Sequence, residues 1–256
     1  MGRKRRQVQI TDATAWVFNR MADVYDARPP YPNELLEALA SLAEPIGKRV
    51  LDIGAGIGHV ALPLARRGMA VTAVEPAQAM LERLLHAAAR EGLALRALHA
   101  SAEALPFDAP GFELVVIADA LHFIDAELAA AEIRRVLVPG GTLAIVTCDY
   151  AETPFMRAVR AIVESAADRR PRNTGQALRH LTSLARTRLG PPSHFVDATL
   201  VDRTTLERIL RSVSFVGPAL NPARFGKLRE LLHALPDPPV WSRTFTLHCA
   251  RRLSLP

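Results

Sequence analysis

The stretch RVLDIGAGIGHVALPLARRGMAVTAVEP, residues 49–76, decides the fold. An apolar run, Arg49–Ile53, leads into glycines at three alternating positions, Gly54, Gly56 and Gly58. An amphipathic run over Val60–Arg67 follows, and a second apolar run, Ala70–Val74, closes on Glu75. This spacing predicts strand, turn, helix and strand, with a carboxylate at the second strand's end. Glycines let the turn take positive φ and let a ligand lie against the main chain, while the helix that follows presents free N–H groups. The dinucleotide fingerprint is not met, because His59 stands where its third Gly or Ala belongs. No Gly-Lys-Ser/Thr follows, so this is not a P-loop. Glu75 is placed to accept two hydrogen bonds from a ribose diol. The plainer readings, a structural turn and a solvated strand-end acid, stay open at this point.

Outward from this stretch the alternation continues. Leu93–Leu98, Phe112–Ile117 and Thr142–Thr147 read as strands; Ala77–Glu91 and Ala126–Leu137 read as helices, the latter stopped by Pro139-Gly140-Gly141. Strand and helix in turn predict a doubly wound, Rossmann-like α/β core over residues 46–150 with a mostly parallel sheet. Upstream, residues 1–45 form a basic tail and two helices, Ala13–Asp26 and Asn33–Ala43, separated by PPYP. Downstream, 151–194 reads as an inserted helical cap with helices at Pro154–Ala167 and Gly175–Leu189. Residues 195–256 return to the sheet with strands Phe195–Val201 and Arg243–Ala250 and helices Thr204–Val213 and Pro222–Leu235.

The 256-residue chain is 49% hydrophobic, enough for one sizeable core. Cys148 and Cys249 lie far apart with no metal-binding spacing, so no metal site and a reducing, cytoplasmic setting are expected. No apolar run has membrane-spanning length. The formal charge is +6, yet all but three of the 32 basic residues are arginine. That skew points to genome composition more than to a phosphate-binding surface, and Arg3–Arg6 reads as a solvated tail.

The motifs VLDIGAGIG, AVEP, ASAEALPF, FELVVIADALHFI and LVPGG, in this order, resemble those of class I S-adenosylmethionine-dependent methyltransferases. The small-molecule group that includes ubiquinone-biosynthesis and trans-aconitate methyltransferases is most similar, and FNRMADVYDARPPYP looks like the N-terminal segment of the trans-aconitate-like members. The resemblance covers about residues 16–150. It implies a seven-stranded sheet with an antiparallel C-terminal strand, S-adenosylmethionine as cofactor and S-adenosylhomocysteine as product. It also implies roles. Asp52 and Gly54, Gly56 and Gly58 would hold the methionine part, and Glu75 the ribose. Gln78 and Met80 would flank the ribose and adenine, and Ser101 and Ala102 would meet the adenine, although relatives commonly carry Asp where Ser101 stands. Ala118 would sit near the methionine amine, and Tyr25, Arg28 and Tyr31 would close over the methionine end as a lid, Arg28 pairing with its carboxylate.

Methyl transfer from a sulfonium needs alignment above all, and a base only when the nucleophile is protonated at rest. His122, after the fourth strand, is the candidate base; a packing histidine is the alternative. His59 reads as a packing residue. Asp149 and Tyr150 end the fifth strand and face the expected substrate side. The cap is rich in arginine (Arg157, Arg160, Arg169, Arg170, Arg172, Arg179, Arg186 and Arg188), of which Arg157 and Arg179 are candidates to meet an anionic acceptor. The expected function is methylation of a small metabolite, anionic or phenolic, at oxygen, with a place in secondary metabolism. An RNA methyltransferase and a cofactor-binding protein that no longer transfers methyl groups are the alternatives. Oligomeric state is not readable from the chain.

Overall fold

The computed structural model describes residues 18–44, 47–164, 174–236 and 238–253. Among the described residues there are eight strands: β1 Arg49–Ile53, β2 Ala70–Glu75, β3 Arg96–His99, β4 Phe112–Ala118, β5 Leu137–Tyr150, β6 Thr187–Leu189, β7 Ser193–Leu200 and β8 Val240–Arg252. They form one sheet in the order β3-β2-β1-β4-β5-β8-β6, with β7 also on β8. β6 and β7 pair with successive parts of β8, at Ala250–Arg252 and Val240–Leu247, so they share one lane and the sheet has seven lanes. Only β8 runs antiparallel to its neighbours. The chain reverses its direction of travel across the sheet between β1 and β4, where doubly wound folds open a crevice.

The helices are α1 Ala22–Tyr25, α2 Asn33–Ala43, α3 Ala61–Arg66, α4 Gln78–Arg90, α5 Ala126–Val136, α6 Pro154–Glu164, α7 Thr174–Leu184, α8 Arg203–Ser212 and α9 Pro222–His233. Strand alternation divides the core. Leu51, Ile53, Val115, Ile117 and Ile145 bury against α5 and α7, whereas Val50, Leu114, Val116, Ala144 and Val146 bury against α2 and α3. β4 is buried along nearly its whole length, as a central parallel strand must be. α5 begins at Asp125, whose side chain accepts from the amides of Glu127 and Leu128, and α9 begins at Asn221, which accepts from Arg224.

Several sequence boundaries shift for local reasons. β3 starts at Arg96 and not Leu93, because Gly92 (φ +65°) ends α4 and the Leu93 amide returns to the Ala88 carbonyl. β5 runs back through Pro139-Gly140-Gly141 to Leu137, its register against β4 shifting between Phe112 and Leu114. The second cap helix ends at Leu184, before Arg186 turns the chain with φ +55° into β6. Of the expected Ala13–Asp26 helix, residues 18–26 are described, and only α1 is helical, after a turn over 18–21; residues 13–17, Arg3–Arg6 and the cap's Arg169, Arg170 and Arg172 lie outside the described residues.

The expected single cap divides. Leu178 and Leu181 of α7 belong to the main core beside α5. α6 instead joins α8 and α9 in a helical layer around Val159, Leu206, Ile209, Leu228 and Trp241. This layer is assembled from both sides of the edge strands, which a linear reading of 151–194 cannot show.

Candidate active site

The glycine turn carries β1 into α3 in a left-handed course, with φ of +70° at Gly54, +57° at Gly56 and +96° at Gly58. A Cβ on Gly54 would lie 2.9 Å from the Ala120 Cβ, so small residues at the ends of β1 and β4 keep the crevice open. Gly54→Ala is therefore expected to cost about 1–3 kcal/mol, more than Gly68→Ala, which shares positive φ (+77°) but meets nothing within 4 Å. Thermal unfolding of the two variants gives the comparison.

Glu75 organises this turn. Its Oε2 accepts from the Gly56 amide and its Oε1 from the Ala77 amide, each at 2.8 Å. Each oxygen keeps a further lone pair, and the carboxylate lines a cavity of about 380 Å³. Burial raises its pKa, opposed by the two amides. Of the residues assigned to the cofactor, Tyr25, Gly54, Gly56, Glu75, Met80, Ser101, Ala102 and Ala118 line this first cavity. The sequence reading missed Phe18, Asp119 and Phe123 among its walls. Asp119 had a local signal, since Asp tolerates the left-handed region it adopts at φ +50°.

The remaining assignments fall outside the first cavity. Gln78 is exposed and bonds Glu82. Gly58 packs against Leu62 and Leu84. Arg28 and Tyr31 line a small neighbouring space of about 30 Å³ with His59, Cys148, Trp241, Arg243 and Phe245. Arg28 is held there by Ser212, whose Oγ and carbonyl accept from Nε (2.9 Å) and Nη2 (2.7 Å), and by the Tyr25 hydroxyl at 3.1 Å from Nη1. His59 stacks on Tyr25 at 5.8 Å, and burial lowers its pKa to about 4, which keeps it neutral as a packing residue.

Asp52 lies behind the turn, 1% exposed, with Oδ2 unpartnered. Burial and the Glu75 charge raise its pKa to about 7, against one hydrogen bond from the Ala61 backbone. An acid whose folded pKa exceeds its unfolded value stabilises the fold below about pH 4, and that contribution disappears as pH rises to about 7. The ligand-free protein is thus expected to lose up to about 4 kcal/mol across this window from Asp52. Asp52→Asn should flatten melting temperature against pH between 4 and 8; an unchanged slope would place the titration elsewhere.

A second cavity of about 260 Å³ lies beyond Asp119, which lines both. His122, Asp149, Tyr150, Arg28, Thr147 and Arg160 are among its walls. The turn Leu121–Phe123 sends adjacent side chains to different chambers, Phe123 to the first and His122 to the second. Neither Arg157 nor Arg179 reaches it: both are exposed, and Arg157 bonds the Glu152 carbonyl. On α6 the buried residues are Met156, Val159 and Val163, a phase that turns Arg160 inward and Arg157 out. Burial pushes the Tyr150 and Tyr31 hydroxyls up, and Cys148 to about 12, so these groups stay protonated at neutral pH. Among the described residues no group of three or more His, Cys, Asp or Glu could hold a metal, and no helix is long and apolar enough to cross a membrane.

Residues 51–145 match the model of a methyltransferase domain. The match spans the turn, Glu75 and the β4 end just described. Over this segment the chain is similar to methyltransferase domains. An uncharacterised methyltransferase of Mycobacterium tuberculosis is 40% identical over 130 residues, 50% of this chain and 51% of that protein. Demethylmenaquinone methyltransferase of Thermus thermophilus is 42% identical over 101 residues, 38% of this chain and 46% of that protein. The chain thus spans about half the length of these curated relatives. The YcgJ protein of Bacillus subtilis shares the fold with a TM-score of 0.61 at 20% identity, covering 88% of this chain and all of that one. The matched segment supplies most of the first cavity, with Phe18 and Tyr25 closing it from outside; α6 and the layer it joins complete the second.

Proposed function

We propose that the protein transfers a methyl group from S-adenosylmethionine to an oxygen, hydroxyl or carboxylate, of a small metabolite held in the second cavity. One observation carries this reading. Among the described residues the first cavity is lined by four carboxylates (Glu75, Glu103, Asp119 and Asp125) and by no Lys, Arg or His. Such a field repels a pyrophosphate and attracts a ligand bearing sulfonium and ammonium charges. Glu75 would take the ribose hydroxyls and Met80, Ser101 and Ala102 the adenine, with the open backbone at Gly54 and Gly56 against the methionine part. When bound, the cofactor supplies an electrophilic methyl on a good, neutral leaving group. The chain's own part is to fix the acceptor across the Asp119 wall, to exclude water and, for a hydroxyl acceptor, to remove its proton through His122.

The N-terminal segment acts as a lid over this cavity. Phe18 meets Phe123 edge-on at 4.9 Å, and Asn19 Oδ1 accepts from the Ala79 amide at 2.9 Å, so residues 18–25 close the first cavity. The lid ends sooner than the sequence reading's Tyr31. Arg243, 6% exposed, donates to the carbonyls of Pro29 and Pro30 and pairs with Asp197, pinning the PPYP turn to the sheet. Hydrogen exchange at residues 18–25 is expected to slow when S-adenosylhomocysteine is added. Equal protection of 18–25 with and without product would make the segment a fixed wall. Release of S-adenosylhomocysteine across a panel of hydroxyl acids, phenols, carboxylates and RNA tests the function: turnover on a small oxygen acceptor supports it, turnover on RNA alone overturns it, and binding without turnover on any member leaves a non-transferring protein.

A further inference from the structure

We propose that Arg28 anchors an anionic group of the acceptor, and that Asp119 makes this anchor available when the first cavity is filled. The inference rests on the methyl-transfer reading and names the acceptor class, a small organic acid. Arg28 borders the second cavity and not the first. Its side chain is 13% exposed, so an anion reaching it is largely shielded from water. Three of its five N–H groups are committed to Ser212 and Tyr25, which fixes the plane of the guanidinium. Nη1 and Nη2 each keep one N–H, the side-by-side pair that a carboxylate accepts. Asp119 Oδ2 stands 3.6 Å from Nη1, close enough to balance the charge and too far for a hydrogen bond.

Asp119 faces both chambers. A ligand ammonium in the first cavity takes up the Asp119 carboxylate and leaves the Arg28 guanidinium in need of an anion. An anion arriving first meets Asp119 already balancing that charge. The two cavities are therefore coupled, the ammonium-bearing ligand raising affinity for the anionic one, and by linkage the reverse. Arg160, on α6 and paired with Glu152, lies on the same cavity wall and adds positive charge at its rim.

The experiment uses the full chain with benzoate as anionic probe, benzamide as its neutral match and S-adenosylhomocysteine, which keeps the ammonium, in the first cavity. Calorimetric titration of benzoate is expected to show affinity about tenfold higher with S-adenosylhomocysteine present than without, and benzamide no such gain. Arg28→Gln should weaken benzoate by about tenfold or more while leaving S-adenosylhomocysteine affinity within about twofold. Arg28→Lys, which keeps the charge should the Gln variant fold poorly, should retain part of the benzoate response. Asp119→Asn should abolish the coupling and bind benzoate equally in both states. Absent benzoate binding in the wild type, or loss of S-adenosylhomocysteine affinity in Arg28→Gln with benzoate unchanged, overturns the anchor. Failure of S-adenosylhomocysteine itself to bind would instead overturn the cofactor reading.

Discussion

His122→Ala is expected to lower turnover on a hydroxyl acceptor by ~10²–10⁴ while S-adenosylhomocysteine affinity stays near the wild-type value. The separation of the two effects follows from the turn Leu121–Phe123, which gives His122 to the second cavity and Phe123 to the first. Tyr150 and Cys148 on the same wall are poor bases, since burial pushes both upward. A carboxylate acceptor needs no base. With such an acceptor the same substitution should do little, and Arg160→Ala should raise KM instead. Full turnover on a neutral hydroxyl acceptor in both variants would contradict this division of labour.

The second large effect belongs to Glu75. Removing its carboxylate takes the acceptor from two backbone amides that shape the turn, Gly56 and Ala77, and, on the proposed reading, from the ribose. Glu75→Ala is expected to weaken S-adenosylmethionine by about 1.5–3 kcal/mol, roughly ten- to a hundredfold, and to lower the melting temperature as well. Glu75→Gln keeps one carbonyl acceptor and should fall between. Calorimetry on both variants checks the ranking; an unchanged affinity in Glu75→Ala would mean that no ligand contacts this carboxylate.

The first cavity was legible in the sequence because its walls come from short segments directly after strands. Gly54, Glu75, Ser101 and Ala118 sit at the ends of β1 to β4, and strand-end residues can be placed once the alternation is recognised. The second cavity was less legible. Arg28 and Ser212 lie 184 residues apart, and Arg243 reaches Pro29 and Pro30 from more than two hundred residues away. Hydrogen bonds at such separations leave no local pattern. Arg28 was therefore placed with the cofactor, whereas the structure sets it on the wall of the second cavity. The choice of Arg157 over Arg160 was a different kind of miss. The apolar phase of α6, Met156, Val159 and Val163, was present in the sequence and selects Arg160. For the cap, contiguous sequence suggested one unit, but apolar faces decide packing. Those of α7 match α5, and those of α6 match α8 and α9.

The central claim is that four carboxylates around a glycine turn select a cationic methyl donor over a phosphate-bearing cofactor. Isothermal titration of the purified protein with S-adenosylmethionine, S-adenosylhomocysteine and a nicotinamide dinucleotide tests it directly. The account predicts one site filled by each of the first two ligands and no measurable heat from the dinucleotide. Tighter binding of the dinucleotide than of S-adenosylhomocysteine would contradict it.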